Sequence, residues 1–372
     1  MTPIPLILPL RASEAGALAD LVYQQVEGKG LTGDVRHRFA ARIPSLGLQT
    51  FIPFPGSLQQ DPIHLSTYYI AIDTHGEDTC GEAPQSLLLR IAVDSSPASG
   101  LFPSAVLIGR MRSGGGREIV INAIPFAAGD HSNITTFAHQ VDRAFLPRPQ
   151  GPYPAISVRG GNPEATFRDF GGILKAAGTN LASLECPYHA GVWAAIRAGW
   201  REGFNLGAGP IAAGGATHDE ILRAAAAGYT RFTIEASREE LTWVEELHDH
   251  IAKIKAGQNS WKHFDFELSI RDGHPTSIEE LRFCLKWLKT RGHSPQLVEP
   301  DLNGDHSRLA ELAEVARQFN ATLSIRSRGN EREAELEEIA RATGGRFNYK
   351  ISGGDADLRW VASCLLGQSI PA

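Results

Sequence analysis

A chain of 372 residues with 42% hydrophobic and 21% charged residues is long enough for two domains with substantial cores. A formal net charge of −6 argues against nucleic acid or an anionic membrane as partner, and no run approaches the ~20 apolar residues of a membrane span. Four cysteines, Cys80, Cys186, Cys284 and Cys364, form no CxxC pair, which fits a reducing compartment better than a disulfide framework or a zinc ribbon.

The start, Met1 to Leu10, is apolar but short, carries three prolines and lacks a basic leader, so a cytoplasmic protein is expected. A helix is expected over Ala12–Val26. Strand-like runs follow at Leu48–Phe54, Ser66–Asp73, Ser86–Asp94, Ala105–Met111 and Glu118–Ile124, separated by turn signals such as Ser113-Gly-Gly-Gly116. A further helix should run from Asp130 or Ser132, as N-cap, to Arg143. Residues 1–150 thus read as an α+β domain with a mostly antiparallel sheet. Leu146-Pro-Arg-Pro-Gln-Gly-Pro152 interrupts regular structure and marks the junction.

From Ala155 the rhythm changes. A short apolar strand, a polar or glycine-rich loop and an amphipathic helix recur eight times. The strands fall at Ala155–Val158, Leu181–Leu184, Phe204–Leu206, Thr230–Ile234, Phe264–Ile270, Gln296–Val298, Ala321–Ile325 and Arg346–Ile351. Helix starts are marked by Asn162-Pro163 and by the capping boxes Thr217–Glu220, Ser237–Glu240 and Ser277–Glu280. Gly178, Gly228, Gly257, Gly292 and Gly344 stand where left-handed C-terminal caps would end helices. Residues 151–372 therefore predict a (β/α)8 TIM barrel. The rival, a doubly wound open sheet, would want a glycine-rich phosphate turn after its first strand, and Val158-Arg-Gly-Gly-Asn162 matches that only faintly.

In such barrels the chemistry sits at the carboxyl ends of the strands and in the loops after them. Those positions carry Arg159, Glu185 with His189, Asn205 and Gly207, Glu235, Glu267 with Arg271 and Asp272, Glu299 with Asp301, Arg326 with Arg328, and Lys350 with Ser352. Carboxylates gathered at one mouth must be solvated, ion-paired or bound to a cation. Three arrangements satisfy this. One is a salt-bridged rim with no chemistry. Another is a divalent-metal site (Zn, Mn or Mg) built from Glu235, Glu267, Glu299 and His189. The third is metal-free acid–base chemistry with Lys350, Glu267 and Glu235 as catalytic groups. Ser327-Arg328-Gly329 and Ser352-Gly353-Gly354-Asp355, after the last two strands, suit a phosphate or carboxylate. Arg159, Arg326, Arg328, Ser352 and Gly353 are the candidate substrate contacts. The dense run Asp73 to Glu82 and His131 read as surface-turn and helix-start features, and no nucleotide cofactor is expected.

From about Gly203 to Ala362 the order of residues resembles the tagaturonate epimerase family of hexuronate-metabolising barrel enzymes. The likeness rests on Ala225-Ala-Ala-Gly-Tyr-Thr-Arg-Phe-Thr-Ile-Glu235, on Phe266-Glu-Leu-Ser269 followed by His274-Pro-Thr-Ser-Ile-Glu-Glu280, on Leu323-Ser-Ile-Arg-Ser327 and on Tyr349-Lys-Ile-Ser-Gly353. The resemblance implies inversion of a hexuronate carbon with a bound divalent metal, with Lys350 and Glu267 at matching positions. Arg326 stands where that pattern has a histidine, and Gly207-Ala-Gly-Pro210 where it has Asp and His. Both departures remove metal ligands, and a guanidinium could supply the missing positive charge.

The functional expectation is an isomerase or epimerase of a sugar acid or related polyol, with a sugar acid or phosphorylated sugar as ligand and a homo-oligomer as its form. The alternatives are a non-catalytic sugar-acid-binding barrel and a lyase or aldolase in which Lys350 forms an imine.

Overall fold

The computed structural model describes residues 51–53, 59–61, 66–73, 85–93, 100–112, 118–167, 182–212, 218–257, 263–271, 273–303, 306–327 and 333–352. The expected helix over Ala12–Val26 and the run Asp73 to Glu82 beyond Asp73 lie outside them. The chain divides into two compact units, Met1–Ala144 with Ile196–Gly199, and Phe145–Ala195 with Trp200–Ala372.

The first unit is built on an antiparallel sheet. Its strands are β1 (Phe51–Pro53), β2 (Gln59–Asp61), β3 (Ser66–Asp73), β4 (Gln85–Val93), β5 (Val106–Arg112) and β6 (Glu118–Pro125). Their order is β1-β3-β4-β6-β5, with β2 pairing on β3. One face packs an aromatic cluster: Tyr68 lies 5.8 Å from Phe102 and 6.2 Å from Phe137, and Phe126 lies 5.4 Å from Phe137. The helix expected from Asp130 to Arg143 is not one regular α-helix. It is α-helical over His131–Thr136, widens to a π-turn over Phe137–Val141, and ends in a 3-10 turn, Arg143–Phe145. Asp130 is its N-cap residue, but its side chain makes no cap hydrogen bond. Its Oδ2 instead accepts from the Ala127 N–H at 2.6 Å, bracing the preceding turn.

The second unit is the closed parallel barrel. Strands β7 (Ala155–Arg159), β8 (Ala182–Glu185), β9 (Phe204–Ala212), β10 (Arg231–Ala236), β11 (Asp265–Ile270), β12 (Leu297–Glu299), β13 (Thr322–Arg326) and β14 (Phe347–Ser352) follow one another around the ring, and β14 pairs with β7 to close it. Local chemistry sets the helix ends. Asn162 Oδ1 accepts from the Glu164 N–H at 2.9 Å, and Ser277 Oγ accepts from the Glu280 N–H while Glu280 Oε2 accepts from Ser277 N, both at 3.1 Å. Thr217 and Gly178 lie outside the described residues. Gly228, Gly292 and Gly344 have φ of 108°, 86° and 63° as left-handed stops require. Gly257 does not: its φ is −76°, so the helix Leu241–Ala256 ends in right-handed geometry.

Alternation along the strands divides the barrel wall. Phe232, Ile234, Phe266, Leu268, Leu323, Ile325, Tyr349 and Ile351 supply buried apolar surface, while the residues between them, Arg231, Thr233, Asp265, Glu267, Ser269, Ser324, Asn348 and Lys350, are polar and also buried. A hydrogen bond across the ring, between strands that are not neighbours, places this second set inside it, and bonds between neighbouring strands extend the chain. Arg231 Nη1 on β10 donates to Ser157 Oγ on β7 at 2.8 Å, Ser157 Oγ donates to Asn348 Oδ1 at 2.8 Å, and Asn348 Nδ2 donates to Ser324 Oγ at 3.1 Å. The interior is thus a hydrogen-bonded polar network in place of the branched apolar layers common in this fold.

The floor is equally polar. Asp265, at the start of β11, accepts from the backbone N–H of Gln150, from Gly151 N at 2.8 Å and from Asn205 Nδ2 at 2.8 Å. Thr322 Oγ1 donates to the Pro152 carbonyl at 2.8 Å. The proline-rich stretch read as a junction is therefore bonded to the base of the barrel through residues 148–152.

Candidate active site

Charged residues at the carboxyl ends of the strands meet above that network. Lys350 Nζ stands between two carboxylates, 2.8 Å from Glu267 Oε2 and 2.6 Å from Glu299 Oε2. Thr233 Oγ1 donates to Glu267 Oε2 at 2.6 Å, and Arg231 Nε lies 3.9 Å from the same atom. The outer oxygen of Glu299 receives Arg326 Nη2 at 2.9 Å and also Arg271 Nη2. On the other side of the mouth Glu185 Oε1 accepts from Arg231 Nη2 at 2.8 Å, and its Oε2 lies 3.7 Å from Arg159 Nε. Glu235 is held loosely, 3.7 Å from Arg271 Nε and 3.9 Å from Arg326 Nη2.

Depth sorts these charges. Glu267 and Arg231 side chains are 0% exposed, Glu299 2%, and Glu185 and Lys350 8%; Glu235 and Arg271 are 24% and 29%, and Arg326 and Arg159 are 47% and 54%. Carboxylates dominate the buried tier and guanidiniums the outer one. Burial alone would raise the Glu267 carboxyl above its usual range, but the Lys350 and Arg231 charges and the hydrogen bonds it accepts outweigh this and hold it low, at about 2.

A cavity of about 130 Å³ opens over this arrangement, lined by Ser157, Arg159, Glu185, Thr233, Arg326 and Lys350 among others. Arg326 also borders a shallower one of about 290 Å³ whose lining includes Arg271, Glu299, Asn303 and His306. Of the groups on the first cavity, Glu185 offers a carboxylate that can accept a proton and Lys350 an ammonium that can donate one, whereas guanidiniums only donate hydrogen bonds.

The expected site residues divide as follows. Glu235, Glu267, Glu299, Arg326 and Lys350 converge, with Arg159 opposite them. Glu267 lies beneath Lys350 and does not line the cavity. Ser352 ends β14, its backbone in register with Arg159; Arg328 and Gly353 lie outside the described residues. His189 sits near the start of the helix Tyr188–Ala198, its ring edge-on to Tyr188 at 5.3 Å. Among the described residues it joins no group of three or more converging ligand atoms. Arg231, Thr233 and Ser157 were not singled out from the sequence, although the alternation in Arg231-Phe-Thr-Ile-Glu235 puts the first, third and fifth residues on one face.

The same geometry tests a divalent metal. Lys350 Nζ takes the point between Glu267 and Glu299 that a bridging ion would need, and two guanidiniums cover the outer oxygen of Glu299. As arranged, these donors do not fit a metal. The positive charge is made by Lys350, Arg271 and Arg326. Gly207 contributes by absence: a Cβ there would lie 2.8 Å from Arg231 Nη2 and 3.0 Å from its Nε, so only glycine leaves room for that guanidinium. Near the mouth, the Cys186 thiol is pushed up to about 12 by burial and is no nucleophile.

Fold and site together define a (β/α)8 barrel with a charged polar interior open at the carboxyl end of its strands. The solved structures it resembles include the fructuronate-tagaturonate epimerase UxaE from Cohnella laeviribosi. The form with one glycerol bound superposes with a TM-score of 0.56 at 14% identity over 85% of this chain and 75% of that one. The form with two glycerols gives 0.55 at 15% identity with the same coverage. At such identity the likeness is one of fold. No family model matches the chain, and no curated protein matches it.

Proposed function

We propose that the barrel is a sugar-acid epimerase or isomerase that works without a metal, on a hexuronate-like substrate. The observation that carries this reading is the two-tier charge at the mouth: guanidiniums of Arg159, Arg271 and Arg326 outside, buried carboxylates and Lys350 within. Such an entrance favours an anion, and the planar fork of Arg326 or Arg159 suits a carboxylate. Inversion at carbon needs two proton-transfer groups and a positive group near the developing oxyanion. Glu185 and Lys350 line the cavity and fill these roles, with Glu185 as base and the Lys350 ammonium as acid and oxyanion partner. Glu267 and Thr233 position Lys350 from below. Glu235, the least tightly paired carboxylate, stands at the rim as an alternative base. The fold shared with a protein described as a fructuronate-tagaturonate epimerase makes those two ketohexuronates the first substrates to try.

Incubation in D2O with fructuronate or tagaturonate, followed by proton NMR, tests the reading. The expected result is deuterium at the reacting carbon and appearance of the epimer, each slowed at least ~100-fold in Glu185→Gln and Lys350→Met. Exchange unchanged in both variants would overturn the assignment of the site. Thermal stabilisation by the hexuronate with no exchange would identify a binding protein instead, and borohydride trapping of a keto-acid on Lys350 would identify an imine-forming lyase.

A further inference from the structure

On the outside of the barrel, at the amino ends of the strands, His248 of the helix Leu241–Ala256 meets His293 of the loop entering β12. We propose that these two histidines and Asp249 form a binding site for a zinc-like divalent ion, clamping that helix to the loop. The Nδ1 atoms of His248 and His293 lie 3.1 Å apart, and Asp249 Oδ1 lies 3.6 Å from His293 Nδ1. One ligand atom from each of the three residues falls within 4.8 Å of the others. Zn–N bonds of about 2.0–2.1 Å in a tetrahedral site put two ligand nitrogens roughly 3.3 Å apart, so the observed separation is close to what one ion would need.

The surroundings favour ligation over a simple histidine pair. Glu245 Oε1 lies 3.6 Å from His293 Nε2, and Glu245 Oε2 is 3.5 Å from Arg291 Nε. The His293 ring thus turns its Nδ1 edge to His248 and Asp249 and has a carboxylate behind its other nitrogen, an arrangement that metal-bound histidines use. The His248 ring is fixed between Phe264 and Phe266, with centroids 5.1 and 5.4 Å away. Asp249 is 65% exposed, which leaves one side open for an ion to enter and for water to complete its shell. Imidazole nitrogens with one carboxylate oxygen suit Zn²⁺, and Co²⁺ substitutes as a coloured probe.

Untagged full-length protein, stripped with chelator and titrated with Co²⁺, tests this. The expected result is one saturable equivalent with tetrahedral visible absorption, displaced by Zn²⁺. His248→Gln and His293→Gln should each weaken binding at least 100-fold, and Glu245→Gln roughly 10- to 100-fold. Glu299→Gln, at the mouth, should leave it unchanged, which separates this site from any metal bound there. Circular dichroism checks that the variants fold, and histidine NMR of the unmodified protein gives a second route, since Zn²⁺ should shift both Nδ1 signals. Absence of a saturable equivalent, retention of binding in the double histidine variant, or loss in Glu299→Gln would each overturn the proposal.

Discussion

At the scale of single residues, two of the buried carboxyls in the barrel, Glu267 and Asp265, respond to pH in opposite directions. Glu267 is held below its ordinary range despite burial, because Lys350 and Arg231 face it. Its contribution to stability is present above the unfolded carboxyl range near 4.5 and is lost as pH falls towards about 2. Asp265 is pushed up to about 6, chiefly by burial; the N–H groups of Gln150 and Gly151, the Arg231 charge and Asn205 offset this only in part. Between its ordinary 3.8 and about 6 the folded chain binds the extra proton, so this group makes stability fall as pH rises through that window, by roughly 3 kcal/mol. Urea unfolding of the wild-type chain and Asp265→Asn between pH 4 and 7 should show that slope in the former and its loss in the latter. Lys350→Met leaves Glu267 and Glu299 without their shared cation, and should lower unfolding free energy by about 3–5 kcal/mol in urea titration at neutral pH. Glu267→Gln combined with Lys350→Met should recover part of that loss, because the deeper unpaired charge is removed.

At the scale of elements, caps and strands obey local rules, and the interior obeys contacts between distant ones. The capping box at Ser277 and Glu280 is complete, so Ser277→Ala should cost about 1 kcal/mol, read as a lower denaturation midpoint with an unchanged m-value. Eight strands were placed within a residue or so at most ends because apolar runs, caps and glycine stops agree there. β9 extends to Ala212, well past Leu206, because its second half is Gly- and Ala-rich and carries little apolar signal. Gln59–Asp61 was missed for the same reason, being three polar residues whose strand character comes from pairing with β3. The mouth was legible as a set of positions, since strand ends point there by topology. The division of labour within it was not. That Arg231 crosses the ring to Ser157 and Glu185 depends on the width of the barrel and on the space left by Gly207. Gly207→Ala brings a methyl into that guanidinium, and overpacking of this kind costs ~1–3 kcal/mol. If Arg231 moves, Glu185 loses its 2.8 Å partner. The variant should therefore be less stable and also impaired in any turnover that depends on Glu185.

At the scale of the molecule, the net charge of −6 and the basic lip of the barrel pull in opposite directions. Among the described residues no helix is long and apolar enough to cross a membrane. A net-negative molecule repels an anion at long range; attraction begins only near Arg159 and Arg326, which stand about half exposed. Salt weakens both effects, with a screening length of ~8 Å at physiological ionic strength. Uptake of a hexuronate should therefore depend on these two side chains more than on the field of the whole chain. Arg159→Ala and Arg326→Ala are each expected to raise KM about 10-fold or more, with kcat changing less than in Glu185→Gln or Lys350→Met. A neutral analogue with the same hydroxyls and no carboxylate should lose binding to the wild-type protein and be indifferent to both arginine substitutions. Steady-state kinetics on the four variants, with calorimetry for the neutral analogue, separates a lip that captures carboxylate from a rim that only neutralises its own glutamates. In the second case the arginine variants would bind the acid as well as the wild type does and would differ from it in stability alone.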